Sequence, residues 1–206
     1  MSNMDILEKL RKAPDAIKIW EVFQLELDAE KAKREEFYNL VHEDIKAEFI
    51  NGEIIFHSPV KNRHWLVSSN IMRLIQPYVK TNKLGMIGSE KVMIRLTRND
   101  YEPDIVFFKK EKSDRFSPEQ ILFPAPDLAI EILSPSTEKN DREIKYWDYA
   151  SHGVEEYWIV DPEKKTIEQY LLSNGTYNLY VKLHEEGILH CVIIEGFQLD
   201  AGTIFG

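Results

Sequence analysis

The stretch Pro126-Asp127-Leu128-Ala129-Ile130-Glu131-Ile132-Leu133-Ser134-Pro135-Ser136-Thr137 decides the fold. Residues 127–133 alternate as a β-strand does. Asp127, Ala129, Glu131 and Leu133 share one face, and Leu128, Ile130 and Ile132 share the other. A glutamate in so apolar a strand costs several kcal/mol if it is buried without a partner, so it needs a nearby cation or an edge position facing water. The link 134–140 is short and polar. Its hydroxyls and backbone N–H groups suit a phosphate contact through Ser134 and Ser136, and they suit a plain turn equally well. A helix follows, with Asn140 as its N-cap and Glu143 as the capping-box partner, ending near Gly153. On that helix Asp141, Lys145 and Tyr149 fall at i, i+4 and i+8 and share a face. The short link folds this face back toward Glu131.

On the N-terminal side, residues 4–33 have helical spacing broken at Pro14, which predicts two helical pieces as an appendage for packing or dimerisation. Residues 35–40 suggest a short helix. Asn51-Gly52 between short apolar runs predicts a hairpin over 47–56. Residues 62–79 form an amphipathic helix in which Pro77 ends or distorts the last turn. Strand-like runs follow at 91–97 and 104–108. Beyond the central helix, 154–161 reads as a central strand, and 166–172, 177–183 and 188–194 as a closing meander turning at Asn174-Gly175. This order gives an α/β (α+β) domain: a mixed β-sheet flanked by helices over 34–206, with an N-terminal helical extension over 1–33.

The formal net charge of −9 argues against promiscuous nucleic-acid binding. Its distribution is uneven. Between Lys61 and Arg98 eight basic residues face one acid, Glu90, so this segment carries +7 and the remainder −16. That makes it either a phosphate-binding face or a solvated helix surface. The single cysteine, Cys191, excludes a disulfide framework and a multi-cysteine zinc site, and its apolar neighbours place it in the core. Trp147 and Trp158 are expected in the core as well. The first fifteen residues lack the apolar core of a signal peptide, and no run approaches membrane-spanning length. The expectation is a soluble cytoplasmic protein.

Hydrolysis of a phosphodiester needs a hard cation held by carboxylates from separate elements, with an amine nearby for the developing charge. Asp104 opens one strand, Glu131 lies in the next, and Lys145 follows on the helix. Asp127 also follows a proline, but four residues of strand hold it roughly 13 Å from Glu131. It is read as a structural strand-end residue.

These residues belong to a wider pattern. Residues 47–54 (AEFINGEI), Ser58-Pro59, His64, Glu102-Pro103-Asp104-Ile105-Val106, the stretch 126–137, Asp141, Lys145, Tyr149, Gly153-Val154, Glu156-Tyr157-Trp158 and Asp161-Pro162 resemble the Uma2 (DUF820) family of restriction-endonuclease-like proteins. The resemblance covers residues 34–206. It implies the PD-(D/E)XK nuclease fold, a Mg²⁺ or Mn²⁺ site, and nucleic acid, DNA by default, as substrate. It implies Asp104, Glu131 and Lys145 as catalytic residues and Glu48, Asp104 and Glu131 as metal ligands. His64, Ser134, Ser136, Asp141 and Tyr149 become candidates for substrate or phosphate contact, and His57 a weaker one. A literal Glu-x-Lys would need lysine at 133, where Leu133 stands; the resemblance explains this as migration of the amine to Lys145. The expectation is a metal-dependent endonuclease, working as a homodimer and without a membrane. The alternative is an inactive nuclease-fold module that binds nucleic acid or protein.

Overall fold

The computed structural model describes residues 3–41 and 45–205. The first two residues of the N-terminal extension, 42–44 and 206 lie outside the description. Helices α1 (Asn3–Lys12) and α2 (Ala16–Leu40) are parted at Pro14, whose ring cannot continue the helical hydrogen bonding. Helix α2 runs through 35–40, so the separate short helix suggested there does not exist; no glycine or proline interrupts the run. Strands β1 (Ala47–Ile50) and β2 (Glu53–Phe56) form the expected hairpin. Asn51 and Gly52 close it at φ of 50° and 83°, the positive values that a two-residue turn requires. Helix α3 (Asn62–Asn82) passes through Pro77 and ends later than foreseen.

Strands β3 (Gly85–Ser89), β4 (Met93–Arg95), β5 (Asp100–Tyr101) and β6 (Ile105–Lys109) come next, then the short α4 (Lys110–Ser113), β7 (Leu122–Phe123) and β8 (Leu128–Ile132). The strand expected over 91–97 shrinks to β4. Strands β3, β5 and β7 were not foreseen, because two glycines dilute the first and the other two are too short to show a period. After β8 the chain is already helical at Glu138. Asn140–Lys145 then form a π-helical turn that continues into α5 (Tyr146–Ser151). Asn140 therefore lies inside the helix and caps nothing, while Gly153, at φ 76°, stops the chain as expected.

Strands β9 (Glu156–Asp161), β10 (Thr166–Ser173) and β11 (Thr176–Leu183) make a meander. The last run does not join it. β12 (Ile188–His190) pairs instead with β13 (Gln198–Asp200), ahead of α6 (Gly202–Phe205). The backbone N–H groups of Val192 and Ile193 both donate to the buried Glu156 carboxylate, a distant partner in sequence that takes them out of a ladder.

The strands form two main sheets, ordered β2-β1-β5-β4-β7 and β11-β10-β9-β8-β6-β3, with helices against them. In the larger sheet β8 runs parallel to β9 and antiparallel to β6. Alternation along β8 holds. Leu128, Ile130 and Ile132 join Val67, Ile71, Ile75 and Val79 of α3 in one core, and Ala129 and Leu133 join Tyr149, Tyr157 and Ile159 in another. Cys191 and Trp158 are buried, but Trp147 is 61% exposed, contrary to expectation. It sits on the solvent side of α5, since Tyr149 and Ala150 supply the buried face. No helix among the described residues is long and apolar enough to cross a membrane.

One ion pair ties α2 to the smaller sheet. Arg34 donates from Nε at 2.6 Å and from Nη2 at 2.8 Å to Asp100, and also bonds the carbonyls of Leu96, Thr97 and Asn99. Asp100 is wholly buried. Arg34→Ala leaves that carboxylate without its cation and is expected to lower unfolding free energy by about 3–5 kcal/mol, read by urea titration. A change within about 0.5 kcal/mol contradicts the assignment.

Candidate active site

The chain crosses from the smaller sheet to the larger one through Glu102, Pro103 and Asp104, between β5 and β6. Extending the β6–β8 register by one step from Ile105↔Ile130 brings Asp104 beside Glu131. The Asp104 carboxylate accepts the N–H of Ile132 at 2.8 Å, which fixes it to β8. Glu48 comes from β1 of the other sheet, and its Oε1 accepts the N–H of Glu102 at 2.9 Å. Asp141 and Lys145 come from the π-helical turn. Such wide turns recur at functional sites.

Lys145 holds the centre and is only 2% exposed. Its Nζ lies 2.9 Å from Glu48 Oε1, 3.0 Å from Glu131 Oε1 and 3.1 Å from Asp141 Oδ1. The Tyr149 hydroxyl, fully buried, donates to the same Glu131 oxygen at 2.9 Å. His64 Nε2 stands 3.2 Å from Asp104 Oδ2, Lys46 Nζ 3.6 Å from Asp104 Oδ1, and His57 Nε2 3.3 Å from Glu48 Oε2.

One ammonium cannot neutralise this many carboxylates, and the acids respond unequally. Burial and the neighbouring Asp141, Asp104 and Glu48 push Glu131 up to about 8 despite Lys145. Asp141 is also raised, by burial first. Burial works against Glu48 too, but Lys145 and His57 overcome it and hold that carboxyl down at about 2. Asp104 is lowered because His64, Lys46 and the Ile132 N–H outweigh its burial. Lys145 itself is raised well above the usual lysine range: burial disfavours its charge, and Asp141, Glu131 and Glu48 more than compensate.

These groups open onto a cleft of about 350 Å³, lined by Lys46, Phe56, His57, Lys61, Arg63, His64, Glu102, Asp104, Glu131, Ser134, Ser136, Asp141 and Lys145 among others. Of the residues expected at the site, Asp104, Glu131, Lys145, His64, Ser134, Ser136 and Asp141 line this cleft. Tyr149 and Glu48 stand behind the cleft, bonded to Glu131 and Lys145, while Ser134 and Ser136 bond each other at the rim, Oγ to Oγ at 3.0 Å. Asp127 lies apart, accepting from the Lys109 N–H and pairing with Lys112. Lys46 and Glu102 were missed. Glu102 stands in the same Glu-Pro-Asp triplet as Asp104, and burial lifts it to about 7. Lys46 directly precedes β1 and carried no pattern of its own.

The donor set suits a hard divalent cation in its chemistry: buried carboxylates on separate elements, with negative charge in excess of Lys145. Among the described residues, no three His, Cys, Asp or Glu groups are already spaced to close around an ion.

The raised Glu131 makes a signed prediction. An acid whose folded pKa lies above its unfolded value costs the fold stability as pH rises. With chelator present, the melting temperature should fall between about pH 4.5 and pH 8. Glu131→Gln, which has no charge to bury, should flatten that fall. Parallel curves for the two proteins refute the assignment.

The chain resembles known proteins. The Uma2 family model, described as "Putative restriction endonuclease", matches residues 34–202. A crystal structure described as a "putative nuclease belonging to DUF820", from Anabaena variabilis, superposes with a TM-score of 0.70 at 22% identity, covering 83% of this chain and 96% of that one. The uncharacterized protein slr1290 of Synechocystis sp. is 29% identical over 127 residues, 61% of this chain and 65% of its own length, so the match spans just under two thirds of that relative.

Proposed function

The chain belongs to the Uma2 family of restriction-endonuclease-like proteins, and from that premise we propose that it is a Mg²⁺- or Mn²⁺-dependent endonuclease that hydrolyses phosphodiester bonds of nucleic acid, DNA first. The observation that supports this best is the meeting of Asp104, Glu131 and Lys145 at one cleft, with Glu48 bonded to Lys145 behind them. In this reading the protein works in the cytoplasm, beside its substrate.

Glu48, Asp104 and Glu131 would hold the cation, which would polarise the phosphate and make a water a better nucleophile. The chain's own groups do the rest. His64 and the Ile132 N–H keep the Asp104 carboxylate aimed. Tyr149 and Lys145 orient Glu131. The Lys145 ammonium positions the attacking water and offsets the charge that develops on the phosphoryl oxygens. Water forms the new P–O bond and gives up a proton to solvent, the bond to the leaving nucleotide oxygen breaks, and that oxygen takes up a proton from solvent. At the mouth, Lys46, Lys61 and Arg63 supply positive charge for neighbouring phosphates and Ser134 and Ser136 supply hydroxyls. Phe56, 62% exposed on the same wall, offers a face for a base.

A second reading has its own support. Lys145 stands within 3.1 Å of three of the acids, where it already serves as a cation. A module that binds nucleic acid or protein without cutting it would keep that arrangement.

The test is nicking of supercoiled plasmid with Mn²⁺ or Mg²⁺. Wild type is expected to nick and chelator to stop it, while Asp104→Asn, Glu131→Gln and Lys145→Met lose at least about 100-fold. Equal nicking by the variants means a contaminant. Binding to DNA with no nicking, and no heat of Mn²⁺ binding in calorimetry, establishes the inactive module.

A further inference from the structure

The Lys145 ammonium has three N–H donors, and three carboxylates already stand on it, Glu48 at 2.9 Å, Glu131 at 3.0 Å and Asp141 at 3.1 Å. Lys145 can meet a phosphate only if one of those bonds opens, and that leaves a buried acid short of its cation. Another ammonium is better placed. Lys46 directly precedes β1, and the His57 N–H donates to its carbonyl at 3.1 Å, which extends the hairpin by one step and fixes the Lys46 backbone. Along this extended chain Lys46 and Glu48 share a side. Glu48 reaches Lys145, and Lys46 lines the cleft. Its Nζ lies 3.6 Å from Asp104 Oδ1, beyond hydrogen-bond distance, so that contact leaves its N–H groups for another acceptor. The other Asp104 oxygen is taken by His64 and the Ile132 N–H. The remaining cations of the cleft serve less well. Arg63 pairs with Glu163 at 2.8 Å, and its side chain is 42% exposed against 24% for Lys46. Lys61 is exposed ahead of α3.

We propose that Lys46 is a further catalytic residue, its ammonium donating to a non-bridging oxygen of the scissile phosphate, with Glu102 as the carboxylate that keeps it beside Asp104. This rests on the nuclease reading above. Charge is the first argument. A phosphate that reaches Asp104 and Glu131 enters a place crowded with acids, where Lys145 is already shared among three of them. A second positive group next to Asp104 is what admits an anion there and offsets the charge it develops. Glu102 is the second argument. It is 4% exposed, it lines the same cleft, and its Oε2 finds no hydrogen-bond partner among the described residues. A buried carboxylate oxygen in that condition calls for a cation. Burial raises Glu102, and of the groups that draw it back Lys46 comes first, ahead of His57.

The experiment is steady-state plasmid nicking with Mn²⁺, joined to readouts that need no cutting. Lys46→Gln should lower kcat about 100-fold and change KM by less than about threefold. Lys46→Arg should recover to within about tenfold of wild type. In Lys46→Gln the circular-dichroism melt should stand and Mn²⁺ affinity by calorimetry should not weaken, while affinity for inorganic phosphate, titrated in the presence of Mg²⁺, falls about tenfold. Glu102→Gln should cost about tenfold in kcat by itself and nothing further in a Lys46→Gln background, as a residue acting through Lys46 must. Losses that multiply in the double variant refute the part given to Glu102. A Lys46→Gln protein with raised KM and intact kcat touches a neighbouring phosphate only, and overturns the proposal. So does one that nicks like wild type, and either result leaves the nuclease reading standing. A wild type that nicks with no metal ion tested removes that reading, and the catalytic role of Lys46 falls with it.

Discussion

The structure depends on a single buried ammonium. Lys145 Nζ meets carboxylates from β1, from β8 and from its own helical turn, all within 3.1 Å. Each of those acids would be costly to bury alone. Held around one cation, they join the smaller sheet, the larger sheet and the π-helical turn at a common point. Asp141 and Lys145 both look into the junction, and Tyr149 one turn later reaches Glu131. The larger sheet packs against α3 on the opposite face, where Leu128, Ile130 and Ile132 meet Val67, Ile71 and Ile75.

The same point is where the chemistry becomes available. Several carboxylates share one ammonium, so negative charge is left over, and Glu131 registers it by rising to about 8 while Glu48 stays ionised. The difference comes from donors: Glu48 has His57 and the Glu102 N–H in addition to Lys145. A site with surplus buried negative charge favours a further cation, and one that opens on a cleft rimmed by Lys46, Lys61 and Arg63 favours a polyanion beside it. Membership of the Uma2 family fits both.

Much of this was legible in the sequence. Alternation in 127–133 placed Glu131 on the face opposite Leu128, Ile130 and Ile132, and the i, i+4, i+8 spacing placed Asp141, Lys145 and Tyr149 together. Asn51-Gly52 and Asn174-Gly175 marked their turns because only a few residues accept positive φ. What was not legible had physical causes. Two-residue strands such as β5 and β7 have no period to detect. The π-helical turn leaves no composition signal, so Asn140 looked like a cap. The turn of the chain after His190 is imposed by Glu156, a carboxylate far off in sequence. Trp147 looked like core from its size alone, and only the packing of α5 reveals that it faces water. Convergence of Glu48 with Glu131 depends on how two sheets meet, which no local pattern encodes. The family resemblance carried that part.

The most direct measurement of the central claim is anomalous diffraction from crystals grown with Mn²⁺. A site built as described should show a single strong peak in the cleft, about 2.0–2.2 Å from oxygens of Asp104 and Glu131, with the Lys145 ammonium still bonded to a neighbouring carboxylate. An empty cleft at millimolar Mn²⁺, or a peak only on surface acids away from Asp104 and Glu131, would contradict the account.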